Sequence, residues 1–115
     1  MLTATCHCKA IRIVFPPPTE PLNECLCSIC RRYGALWAYY PVKDVQIIRD
    51  QADVTDPDGI YLWGDKMCEF HRCAKCGCVT HWEATDKSYP KMGVNARMLE
   101  RVDLEALETL KSDGP

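Results

Sequence analysis

A mainly β fold of short strands joined by metal-bearing turns is predicted by three observations on this 115-residue chain. Apolar and polar residues alternate over short runs bounded by Gly, Pro and Asp, which is the pattern of half-buried strands. Seven of the nine cysteines fall into three tight groups: Cys6-His-Cys8, Cys25-Leu-Cys27-Ser-Ile-Cys30 and Cys73-Ala-Lys-Cys76. Only one stretch, marked by Leu104, Leu107 and Leu110, carries clear helical spacing.

Taken in order, residues 3–8 and 10–15 read as two strands around a Cys-His-Cys-Lys turn, with Ile11, Ile13 and Phe15 on one face. Pro16-Pro17-Pro18 breaks that pattern, and residues 19–23 are expected as a loop. Residues 25–33 read as a loop entering one helical turn that stops near Gly34. Residues 36–42 and 45–49 are rich in aromatic and β-branched side chains, which suit strands. A turn-rich loop is expected over residues 53–59, followed by a hairpin of residues 60–63 and 67–72 across Gly64-Asp65. In the knuckle that follows, Gly77 can supply the positive φ such a turn needs. Residues 79–83 and 91–97 are the last expected strands, and residues 103–110 the expected helix, with Asp103 as its cap. Residues 111–115 are expected to fray. No internal repeat interrupts this order, and residues 1–115 read as one zinc-binding domain.

Composition excludes several classes of function. Apolar residues make up 47 % and charged residues 26 %, with a formal charge of −2. That balance argues against a disordered tail or a nucleic-acid-binding face, and no apolar run is long enough to span a bilayer. Seven thiolates with two Zn²⁺ would bring the charge to about −5, which repels phosphate backbones.

Metal explains the cysteines better than disulfides do. Nine is an odd count. The first fifteen residues lack the basic start, apolar core and small-residue cleavage site of a secretion signal. Cys6 and Cys8, one residue apart on a strand, would share a face without meeting the geometry of a bridge. A reducing, cytoplasmic setting is therefore expected.

The ligands divide four and three. The Cys6/Cys8 pair and the Cys73/Cys76 knuckle together close a Cys₄ zinc site, which would clip the first hairpin to the later sheet and couple metal binding to folding. Cys25, Cys27 and Cys30 can grip one face of a second zinc, but nothing local supplies a fourth ligand. Water, a substrate thiol, Cys68, Cys78, His7, His71 and His81 are the candidates. Three protein ligands plus an exchangeable position is the arrangement of a catalytic metal; a distant fourth residue would make the site structural instead. Cys68, expected on one strand face with Phe70 and Arg72, reads as a packed thiol, and Cys78 as packing or a spare ligand. His7, between two ligands, reads as pointing away from them.

The segments Thr5-Cys-His-Cys8, Cys25-x-Cys27-x-x-Cys30-Arg31, Phe70-x-x-Cys73-x-x-Cys76-Gly77 and Val94-Asn-Ala-Arg97-x-Leu99 follow one another in order. As a set they resemble the glutathione-dependent formaldehyde-activating enzyme family, which includes domains like centromere protein V. The likeness covers residues 3–99. It implies a β-tent of folded-over antiparallel sheets holding two zinc ions. It implies a structural zinc at Cys6, Cys8, Cys73 and Cys76, and a catalytic or labile one at Cys25, Cys27 and Cys30. The family's reaction joins glutathione and formaldehyde as S-hydroxymethylglutathione, or runs in reverse as a carbon–sulfur lyase. Three residues depart from the family pattern: Lys9 and Ala4 stand where glycines are usual, and Cys78 where a small polar residue is. None of them removes a ligand.

Thiol–carbonyl chemistry at the three-cysteine zinc is the expected function, with a glutathione-type thiol and a small aldehyde as partners. Three thiolates leave the zinc a weak Lewis acid, so thiol activation is more plausible than water activation. The two carboxylates of glutathione would need basic or amide partners, for which Arg31, Arg32, Asn95 and Arg97 are the candidates. Trp37, Tyr39, Tyr40, Tyr61 and Trp63 could line a pocket or belong to the core. The alternative is a non-catalytic zinc-stapled module that binds a partner or responds to metal or redox state.

Overall fold

Ile11, Ile13 and Phe15 are buried while Arg12 faces solvent, so β2 (Ile11–Phe15) has one dry face and one wet one. In the computed structural model, which describes residues 1–50 and 58–114, β2 is the middle strand of a three-stranded sheet. It pairs antiparallel with β1 (Leu2–Thr5) and with β5 (Gln46–Arg49).

The second sheet has seven strands: β3 (Leu22–Cys25), β4 (Trp37–Pro41), β6 (Asp58–Tyr61), β7 (Cys68–Cys73), β8 (Val79–Ala84), β9 (Lys91–Asn95) and β10 (Thr109–Ser112). Its order is β10-β3-β4-β9-β8-β7-β6, antiparallel throughout except for the parallel β10–β3 pair. The mainly β class read from the sequence is the class observed.

Alternation along β4 gives this sheet two dry faces. Ala38 and Tyr40 join Leu36, Met92, Val94 and Ala96 against Ile11, Ile13 and Phe15 of the smaller sheet. The rings of Phe15 and Tyr40 lie 5.4 Å apart, and the Tyr40 hydroxyl donates to the Pro16 carbonyl at 2.8 Å. Trp37, on the opposite face, packs with Cys25, Cys30, Ala35 and Phe70 under α1 (Ser28–Tyr33). Trp82 lies flat across Gly93, its cross-strand partner; a Cβ there would stand 2.0 Å from the indole nitrogen.

Several expected boundaries move. β3 occupies part of the expected 19–23 loop, because its pairing partners β4 and β10 are remote in sequence. The expected loop over residues 53–59 lies largely outside the described residues, and its last two positions, Asp58 and Gly59, open β6. The strand expected over residues 91–97 stops at Asn95, and Ala96–Met98 form a 3₁₀ turn. The expected helix over 103–110 is instead the five-residue α2 (Arg101–Glu105). Leu104 and Leu107 do pack against the core, but Leu110 is exposed on β10, where the open edge of β3 draws the chain into a ladder. Lys111 and Ser112, expected to fray, are the last residues of that strand.

The first strand also ends early. β1 stops at Thr5, and residues 6–9 form a turn closed by Lys9 N–H donating to the Cys6 carbonyl at 3.0 Å. Cys6 and Cys8 therefore sit on a turn rather than on one face of a strand. Lys9 holds φ at 66°, a left-handed conformation that costs a residue with a Cβ roughly 1 kcal/mol. Lys9→Gly is expected to raise the thermal midpoint by a few degrees, the relief of strain outweighing glycine's larger unfolded-state entropy. A midpoint that falls in circular dichroism melts would count against this account.

Candidate metal centres

Two turns from different sheets bring the first cysteine set together. The Cys6–Lys9 turn leaves β1, and the knuckle at Cys73–Gly77 leaves β7. In the knuckle Gly77 N–H donates to the Cys73 carbonyl at 2.9 Å, with Gly77 at φ 79° as its sequence position demands. The sulfurs of Cys6, Cys8, Cys73 and Cys76 all lie within 4.8 Å of one another. Cys6 to Cys8 is 3.7 Å and Cys8 to Cys73 is 3.6 Å. A tetrahedral ion with metal–sulfur bonds of about 2.3 Å sets its ligands about 3.8 Å apart, whereas a disulfide needs about 2.05 Å. The spacing fits a metal and not a bridge.

The surroundings tune these thiols unequally. Burial pushes Cys6 up to about 12, against the Ile11 N–H that points at its sulfur from 3.4 Å. Burial also acts on Cys76, but backbone N–H groups of Cys78 and Cys8, with the Cys73 and Cys78 thiols, bring it down to about 6. The turns thus aim N–H groups where thiolate charge would gather, which is what a metal-ligating knuckle requires.

The second set is local. Cys25 ends β3, Cys27 immediately precedes α1, and Cys30 lies within it, buried. Their sulfurs also lie within 4.8 Å of one another. α1 stops at Gly34, whose φ of 67° allows its N–H to donate to the Cys30 and Arg31 carbonyls. Trp37 Nε1 donates to the Cys30 sulfur at 3.3 Å, yet burial dominates and pushes that thiol up to about 12. The segment after β10 passes beside the set, where a Cβ on Gly114 would stand 3.3 Å from the Cys25 sulfur.

Among the described residues, no fourth His, Cys, Asp or Glu joins Cys25, Cys27 and Cys30. Cys68 packs against the same apolar cluster without entering the set, and Cys78 packs against the first core. His7 is exposed, and His71 and His81 are buried with Asp58 and Glu83 elsewhere.

The residues considered for substrate contacts separate. Asn95 spends its amide on the chain, accepting from the N–H groups of Leu36 and Arg97 and donating to the Val79 carbonyl at 2.7 Å. Arg97 donates to the Gly34 carbonyl, tying the 3₁₀ turn to the end of α1. Arg31 is exposed on α1. Arg32 lines an open groove of about 600 Å³ with Ser28, Tyr33, Tyr61, Trp63 and Arg72. Arg32, Arg72 and Tyr33 also border a second groove, of about 740 Å³, that reaches Cys6, Cys78, Asn95 and Arg97. Trp37 and Tyr40 are core; Tyr61 and Trp63 are groove walls, nearly half exposed.

Two residues near the three-cysteine set were not singled out from sequence. Asn23 Nδ2 donates to the Tyr39 hydroxyl at 2.6 Å, and Ser112 Oγ donates to Asn23 Oδ1 at 2.6 Å. Burial raises the Tyr39 phenol, the Asn23 contact opposes this, and the charges of Cys25, Cys30 and Cys27 raise it further. In sequence Tyr39 is one aromatic among several, and nothing local ties it to Asn23.

A family model described as glutathione-dependent formaldehyde-activating enzyme matches residues 1–111. Among solved structures, the chain is similar to a crystal structure of a Rhodobacter sphaeroides protein, at 26 % identity and a TM-score of 0.73. That similarity covers 95 % of this chain and 100 % of the other. No curated protein matches the chain.

Proposed function

This chain belongs to the glutathione-dependent formaldehyde-activating enzyme family, and from that premise we propose that it acts as a zinc-dependent carbon–sulfur lyase-like protein on a glutathione-type thiol and a small aldehyde such as formaldehyde. Residues 1–115 serve as one domain, in a cytoplasmic setting where reduced thiols persist. No helix among the described residues is long and apolar enough to cross a membrane.

The observation that carries this reading is the inequality of the two cysteine sets. Cys6, Cys8, Cys73 and Cys76 would close around a structural zinc, whereas Cys25, Cys27 and Cys30 would hold a second with one ligand position left to a substrate. A zinc ion in that set supplies positive charge that lowers the pKa of a thiol bound beside it.

The chain's own residues would do the rest. In the forward direction a sulfur–carbon bond forms as the carbonyl π bond breaks, and the aldehyde oxygen takes a proton. Tyr39, whose hydroxyl accepts from Asn23 and so keeps its own proton free, can donate a hydrogen bond to that oxygen. Arg32 and Arg72, in the groove walled by Tyr61 and Trp63, are the cations best placed for the carboxylates of a glutathione-type thiol. Arg97, at the second groove, and Arg31, exposed on α1, remain candidates, and Asn95 anchors the 3₁₀ turn that carries Arg97.

Cobalt substitution tests the reading. With Co²⁺ in both sets, glutathione is expected to alter the sulfur-to-metal absorption of one ion and leave the other unchanged. Tyr39→Phe should keep that response but lower adduct formation roughly 100-fold above the spontaneous background. If Tyr39→Phe turns over like the parent, the phenol has no part in proton transfer.

A second reading has one observation in its favour. Gly114 packs beside the Cys25 sulfur, as a segment covering the open position would. A protein whose two metals ignore glutathione would be a non-catalytic zinc-stapled module.

A further inference from the structure

On one face of β7 and β8 two cross-strand pairs lie in succession: Glu69 opposite Glu83, and His71 opposite His81. Alternation sends residues two apart to one side, so these four side chains converge. Asp58 of β6 joins them from the neighbouring strand, its Oδ2 2.7 Å from His71 Nδ1.

Asp58 fixes the orientation of His71. Arg49 holds both Asp58 oxygens, through Nε at 2.8 Å and Nη2 at 2.7 Å, and the carboxyl is held well below the usual range: Arg49 and His71 outweigh the burial that opposes them. With Nδ1 in hydrogen-bond contact with the Asp58 carboxylate, Nε2 is the ring nitrogen left to find a partner. That nitrogen has no hydrogen-bond partner among the described residues, and the His71 side chain is only 7 % exposed.

What Nε2 faces is a pair of carboxylates. Glu83 Oε2 stands 3.5 Å away and Glu69 Oε1 3.7 Å, so the nitrogen lies beside two carboxylates without a good hydrogen bond to either. A cation between the three atoms would satisfy all of them. Donors about 2.1 Å from one tetrahedral ion lie about 3.4 Å apart, close to the separations found. Aspartate on the far nitrogen of a ligating histidine is also the usual way of orienting such a ring. The His81 ring stacks on His71 at 4.3 Å, and its Nε2 contacts Glu83 Oε2 at 2.8 Å, holding both groups in line. One cation is already at the mouth: Lys87 Nζ contacts Glu69 and stands 3.5 Å from Glu83.

We propose that Glu69, His71 and Glu83 form a third metal site, for a divalent first-row cation that accepts nitrogen and oxygen donors, with Asp58 orienting His71 and Lys87 competing for the carboxylates. This site owes nothing to thiolates, so it can also take harder ions that the cysteine sets disfavour.

Mn²⁺ discriminates, because it favours carboxylate and imidazole over thiolate. Protein given only the two equivalents of zinc that the cysteine sets take, then titrated with Mn²⁺ and followed by electron paramagnetic resonance, is expected to remove one equivalent of free-ion signal. Glu83→Gln and Glu69→Gln should each weaken binding at least about tenfold, Asp58→Asn about 10–100-fold, and Lys87→Gln should strengthen it several-fold. Melts and counts of cysteine-bound zinc identify any variant that fails to fold, and Lys87→Gln, at an exposed position, then decides. Wild-type protein that takes up no Mn²⁺, or Glu83→Gln that binds like the parent while folded, overturns the proposal. Lys87→Gln that gains no affinity overturns it too.

Discussion

Cys73→Ser is expected to yield a protein that has lost the first metal and either melts at least about 15 °C lower or does not fold. Cys73 is buried, and its sulfur belongs to the set that joins the turn after β1 to the knuckle after β7. Those turns lie on different sheets, so the set is a clip across the main core. Structural zinc in small domains supplies on the order of 10 kcal/mol of apparent binding energy, which acts as folding energy because the site does not exist in the unfolded chain. A chain of this size has a total stability of only about 5–15 kcal/mol, so losing most of that contribution leaves little margin. Metal analysis and thermal melts with and without chelator would measure both effects. A Cys73→Ser protein that melts like the parent would mean that the packed faces of the sheets hold without the clip.

Cys27→Ser should behave in the opposite way. Cys27 is half-buried at the start of α1, and the sheet pairings do not pass through its side chain. The expected product melts within a few degrees of the parent, holds one equivalent less metal and no longer responds to glutathione. Adduct formation should fall at least about 1000-fold, the loss of several kcal/mol of charge stabilisation. Parallel melts of the two serine variants form the sharpest comparison. If both lose stability equally, the division between a structural set and a substrate-facing set is wrong.

The parts of this molecule that were legible in sequence are those whose signal is local. Cys73-Ala-Lys-Cys76 announces a knuckle because two thiols and Gly77 must meet within one turn. The alternation Ile11, Ile13, Phe15 announces a strand with one dry face for the same reason. The end of α1 at Gly34 was readable too, since only the left-handed conformation closes that helix. The errors fall where a remote partner decides. Leu104, Leu107 and Leu110 have helical spacing, but the free edge of β3 takes the chain from Thr109 onward into a ladder. Cys6 and Cys8 are the exception, a local miss: a lysine at the left-handed turn position does not signal the turn that takes them off the strand. Asp58, His71 and Glu83 carried no shared sequence signal, because only the register of β6, β7 and β8 brings them within reach of one another.

The sulfurs of Cys8 and Cys73 meet across 65 residues of chain, whereas Cys25, Cys27 and Cys30 lie within a single short segment. During synthesis the three-thiol set is therefore complete long before the ribosome has delivered the second half of the four-thiol one. A nascent chain halfway out presents five cysteines and no finished clip. Zinc that arrives then has two early ways to bind, the local triad or a mixture of the triad with Cys6 and Cys8. On the proposed reading, the thiols that would hold the substrate-facing ion are assembled first, and the timing of metal supply would become part of how this protein reaches its native state.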